Sequence, residues 1–186
     1  MNKNLIAHMV AGVLLLGTSV ASMAATNQVG THQQNLALTV TSGTCNVTWP
    51  TDVNFSITSA DTNTTGGAKI GDTKDAGSFV LTGCPANTPM KFSVKAANVA
   101  QGNVYQGLFT DTSGKAIHSI GYRLSTAGDF SSTWNLSGKE GNLGTTNAAG
   151  ELTVGPVYVG LVKRGNGVSS ASGDLSSVVT YTISYN

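Results

Sequence analysis

From Val179 to Tyr185 this chain alternates strictly: Val179, Tyr181, Ile183 and Tyr185 are apolar or aromatic, and Thr180, Thr182 and Ser184 between them are polar. Successive side chains of a strand point to opposite faces, so the pattern is that of a β-strand with one face in a core and the other in water. The same period recurs along the chain. Leu36, Leu38 and Val40 alternate with Ala37 and Thr39, Phe79 and Leu81 with Val80 and Thr82, Met90, Phe92 and Val94 with Lys91, Ser93 and Lys95, and Ile120, Tyr122 and Leu124 with Gly121, Arg123 and Ser125. A longer run, Leu152, Val154, Val157, Val159 and Leu161, changes phase at Gly155-Pro156. Clusters of Gly, Asn, Asp, Ser and Thr at 61–67 and 142–150 read as connecting turns, and Gly165-Asn166-Gly167 as the hairpin before the last strand. No stretch keeps a helical period. Short strands at this spacing predict an all-β sandwich, with neither an internal repeat nor a linker to divide it.

The first residues read as an address. One positive charge at Lys3 precedes an apolar run, residues 5–17, broken only by His8, and Ser22 and Ala24 fit the small positions of a signal peptidase site. The run is shorter than the ~20 apolar residues a membrane span needs. Residues 1–24 are therefore expected to be a signal peptide, 25–41 an N-terminal extension and 42–186 the folded domain. Losing Lys3 leaves nine basic against nine acidic residues. Such a balance offers no patch for nucleic acid or an anionic membrane surface.

Cys45 and Cys84 are the only cysteines. In an exported chain an even count reads as a disulfide. A metal site would need further ligands, and beyond residue 24 the chain supplies only His32 and His118, without ligand spacing. A redox pair would need a Cys-x-x-Cys arrangement. No cofactor is expected.

An enzyme reading finds little to stand on. Neither His32 nor His118 sits in a triad-like motif, Asp72 and Asp75 read as a solvated turn, and nucleophile elbows and phosphate loops are absent. Trp49, Tyr105, Trp134 and Tyr158 could stack on a sugar; scattered aromatics in a small sandwich are otherwise core.

The last alternating run continues to the end of the chain. A sandwich of immunoglobulin-like topology would want one more strand beside it, so the expectation is an unpaired edge next to open core, a template for strand addition. The chain also carries a candidate filler. Residues 26–35 are polar, and Leu36, Leu38 and Val40 follow on one face. This segment reads either as a donor for a neighbour's groove or as the domain's own first strand.

Taken in order, the leader, the alternating arm, the spaced Cys45 and Cys84, the run Phe79-Val80-Leu81-Thr82-Gly83-Cys84 and a last strand with penultimate Tyr185 resemble the type 1-like pilins of chaperone–usher fimbriae. The resemblance covers essentially the whole chain. It implies an incomplete immunoglobulin-like β-sandwich that lacks its last strand and is completed by a donor strand from a partner. It implies a structural fimbrial subunit that mediates adhesion, exported through the periplasm to the cell surface. Its partners would be a periplasmic chaperone, an outer-membrane usher and neighbouring pilins, with a host receptor beyond them. Val179, Tyr181, Ile183 and Tyr185 would meet the chaperone, and Leu36, Leu38 and Val40 would enter the neighbour. The arm departs from the family pattern: Gln34 stands where an apolar residue is expected and Leu38 where a glycine is, with Gly30 further upstream. The alternative reading is a receptor-binding adhesin subunit with a lectin-like surface.

Overall fold

The alternating runs form strands, and their apolar faces meet. The computed structural model describes residues 45–165 and 172–185, so the leader, the arm with Leu36, Leu38 and Val40, His32, Asn166 and Gly167 lie outside the described residues. The strands are β1 (Asn46–Thr48), β2 (Lys69–Asp75), β3 (Phe79–Thr82), β4 (Pro89–Ala96), β5 (Val99–Ala100) and β6 (Asn103–Thr110). They continue with β7 (Ala116–Ser125), β8 (Ser137–Thr145), β9 (Leu152–Val154), β10 (Tyr158–Lys163) and β11 (Val179–Ser184). A single 3-10 turn, Ala60–Thr62, is the one helical element among the described residues.

Three antiparallel sheets share one core. Their strand orders are β1-β3-β9, β2-β10-β7-β6-β5 and β11-β4-β8. Ile70 of β2, Phe79 and Leu81 of β3, Met90 and Val94 of β4, Tyr122 and Leu124 of β7 and Leu161 of β10 are all buried in a common cluster. Each such residue contributes about 1.5–3 kcal/mol on leaving water. The chain is an all-β, immunoglobulin-like sandwich.

The phase change at Gly155-Pro156 is the point where the chain leaves one sheet for another. β9 pairs with β3, whereas β10 pairs with β7 and β2. Gly155 sits at φ 136°, a backbone conformation that side chains disfavour, and a Cβ there would press on Ser78.

Two sequence readings need correction. Asp72 and Asp75 are solvent-exposed, as expected, but they lie in strand β2, paired with β10, not in a turn. The cluster at 142–150 is a turn only in its second half, because β8 continues to Thr145. β8 holds together through its neighbours: the Phe92 ring packs over Gly141, the Lys95 stem over Gly138 and Leu152 over Gly144. Glycines leave room for side chains reaching across from β4 and β9, so β8 carries no alternation of its own.

Candidate functional site

The segment at 50–57 is extended but belongs to no sheet. Val53, Phe55 and Ile57 are half-buried and packed against the core, while Asp52, Asn54 and Ser56 between them are exposed. At its start Thr51 donates its backbone N–H and its hydroxyl to the Ala76 carbonyl, at 2.7 and 3.2 Å. Beyond that anchor no described group pairs with the backbone of residues 52–57. The chain is strand-like on its inward face and lacks the ladder that normally accompanies such a segment.

A second unpaired edge faces it. β11 pairs with β4 in unbroken register, Val179 opposite Ala96 through Ser184 opposite Lys91. Its other side is an edge among the described residues. The residues of β11 alternate half-buried and exposed with strict period two.

Between these two walls lies an open groove of about 1000 Å³. Val53, Phe55 and Ile57 line one side, and Val179 and Tyr181 the other. Ile120, Tyr122, Leu124, Val159 and Leu161, from β7 and β10, form the floor. The groove thus leaves its apolar walls only half-buried over a floor of buried core residues, with hydrogen-bonding backbone on both flanks. One extended polypeptide would satisfy both deficits, adding main-chain bonds to an edge and apolar side chains to the floor. Val178, 66% exposed, stands on the rim and is the most exposed large apolar residue described.

The groove has one polar feature on its floor. The Tyr122 ring lies over Gly107, and its hydroxyl is 2.8 Å from Ser177 Oγ, just before β11. This bond ties residues 173–178 to the sheet, helped by the mutual backbone bonds of Thr110 and Ser176. Burial raises the Tyr122 phenol above its ordinary pKa, with the Ser177 hydrogen bond opposing. Burial, and next the neighbouring Tyr122, push Tyr181 up to about 12. Both rings therefore stay neutral at any physiological pH. Tyr181 also packs edge-on against Phe79 and Trp134 and stacks on Trp49, so the wall strand is anchored by an aromatic cluster.

The expected site residues divide. Cys45 and Cys84 are bonded, with Cα atoms 4.2 Å apart, and fasten the start of β1 to the end of β3. Val179 and Tyr181 line the groove. Ile183 and Tyr185 pack against the core from the same strand face but do not line it. Leu36, Leu38 and Val40 are outside the described residues. The four candidate sugar-stacking aromatics are not gathered into one platform: Trp134 packs on Phe79 and Phe92, Tyr105 is exposed on β6, and Tyr158 packs against Gly128. His118 is exposed, and its carbonyl accepts from Arg164 Nε at 3.3 Å. The opposite wall escaped the sequence reading, although Val53, Phe55 and Ile57 alternate with Asn54 and Ser56 and so carried the signal.

No protein-family model matches the chain, and no curated protein matches it. Solved structures do. A chain from the structure of a chaperone–usher pilus, determined to explain the uncoiling of its rod, superposes with a TM-score of 0.58 at 15% identity, covering 88% of this chain and 100% of that one. The P pilus rod subunit PapA gives a TM-score of 0.57 at 13% identity, covering 83% of this chain and 99% of that one. This is the pilin fold. In this pilin fold residues 50–57, which join no sheet, and β11, paired on one side with β4, are neighbours in space though far apart in sequence, and the groove between them runs over the one shared core.

Proposed function

We propose that the chain is a structural subunit of a bacterial surface fimbria, exported through the periplasm and assembled by donor-strand exchange. The observation that carries this reading is the groove between two unpaired strand edges, floored by core residues. The occupant in the fibre is the arm of a neighbouring copy. Leu36, Leu38 and Val40 present one apolar face, and each would gain about 1.5–3 kcal/mol by burial, besides the main-chain bonds. Before assembly a periplasmic chaperone strand holds the same place against Val179, Tyr181 and the rest of β11, and an outer-membrane usher hosts the exchange. The exchange is driven by better packing, so no nucleotide is needed. Adhesion follows from what the fibre displays.

The test is deletion of residues 25–40. The truncated chain is expected to be captured by its chaperone and to accept a synthetic peptide of residues 26–40, but to form no polymers by electron microscopy. Polymers of normal length from the truncated chain would overturn the arm as donor. Failure of the peptide to raise the melting temperature would overturn the groove as acceptor.

A further inference from the structure

The wall that ends in β11 begins its alternation before the strand does. Leu175, Ser177, Val179 and Tyr181 are half-buried and line the groove, with exposed residues between them. Ser177 therefore interrupts an otherwise apolar or aromatic set. It stands where the floor is also interrupted, since Tyr122 is the one floor residue with a hydrogen-bonding side chain, and the two hydroxyls are 2.8 Å apart. The pair is held from both sides. The Tyr122 ring lies across Gly107, and the backbone of Ser176 is bonded both ways to Thr110.

A tyrosine and a serine hydroxyl bring two hydrogens and several lone pairs. Whichever of them donates, their mutual bond uses one hydrogen, and neither has a second partner among the described residues. One hydrogen and at least one lone pair are left over. In an open groove solvent satisfies them. A strand lying along the groove expels that solvent, and an apolar side chain set on the pair would seal polar groups without partners, which is costly.

We infer that the Tyr122–Ser177 pair is a specificity element of the groove, selecting a hydrogen-bonding side chain at its level in the strand that fills it. The inference rests on the reading of the groove as acceptor of a neighbour's arm, and it gives one residue of that arm a task. Gln34, Leu36, Leu38 and Val40 fall on one face of an extended strand. Gln34 alone among them carries a donor and an acceptor, the two functions the hydroxyl pair leaves unmet. Gln34 thus sets the register: a slip of two residues would put Leu36 on the hydroxyls and the amide among apolar side chains.

The experiment compares fibres of four full-length chains: wild type, Gln34→Leu, Tyr122→Phe with Ser177→Ala, and all three substitutions together. The rate at which each fibre releases monomer in fixed denaturant is followed by size exclusion. Gln34→Leu is expected to speed release at least about fivefold in the wild-type groove. In the groove without the hydroxyls the same substitution should not speed it, because the amide then has nothing to pair with. Equal release by wild type and Gln34→Leu overturns the inference, as does loss of the preference in Tyr181→Phe but not in the hydroxyl-free groove. Should the hydroxyl-free chain fail to fold, solid-state spectra of wild-type fibres decide: contact between the Gln34 side-chain nitrogen and the Tyr122 ring supports the pairing, and its absence overturns it. Fibres that form without residues 25–40 would instead remove the donor reading beneath it, a different outcome from fibres that need the arm but are indifferent to Gln34.

Discussion

Gly107 lies directly beneath the Tyr122 ring of the groove floor. A Cβ at that position would collide with the Tyr122 ring, which lies across it to reach Ser177. Gly107→Ala is expected to cost about 1–3 kcal/mol by overpacking, read as a lower urea midpoint. Tyr181 carries a pH signature. Its pKa is near 10 in the unfolded chain and about 12 in the fold. Between those values the unfolded chain has given up a proton that the folded chain keeps, so stability falls as pH rises through the window and is unaffected below it. The loss amounts to roughly 2–3 kcal/mol, and a thermal melt series from pH 9 to 12 measures it. A donor strand over Tyr181 would bury the phenol further and move the decline to higher pH. At this scale the sequence was readable where a residue's neighbours follow from its own strand, as for the inward set Val179, Tyr181 and Ile183. It was silent on Tyr122 meeting Ser177, because that contact joins residues 55 positions apart.

Elements were legible to the extent that they keep their own alternation. β3, β4, β7 and β11 do, and the sequence pattern located each of them. β8 does not: Gly138, Gly141 and Gly144 hand their surface to Lys95, Phe92 and Leu152, so its pattern is written in its neighbours. Segment 50–57 is the reverse case, since it alternates but joins no sheet, and a strand reading alone would have supplied it with a partner it lacks. Its exposed backbone makes a direct prediction. In the isolated subunit the amides of residues 53–57 should exchange with solvent almost unprotected, and in the fibre they should slow by at least about a hundredfold, as followed by mass spectrometry. A paired substitution isolates the inward face. Phe55→Asp would place a charge in the filled groove and is expected to abolish polymerisation, whereas Asn54→Asp, one residue along on the exposed face, should leave fibre yield unchanged in a sedimentation assay.

At the scale of the molecule the single shared core is held together covalently at one corner. Cys45 and Cys84 are 39 residues apart in sequence, and closing such a loop stabilises the fold by about 4 kcal/mol on a chain-entropy account. Cys84→Ser is expected to lower the denaturation midpoint accordingly. The corner also decides where force goes. In a fibre built by handing arms forward, a pull on one subunit enters its neighbour through residues 25–41 and arrives first at Cys45. The sulfur bridge passes that tension to the end of β3, a strand clamped on both sides by β1 and β9. Without it the same tug would peel β1 and then segment 50–57 outward like a zip, opening the slot that grips the next arm. Fibres stretched in a reducing buffer should therefore part at smaller loads than oxidised ones, by rupture within subunits and not between them.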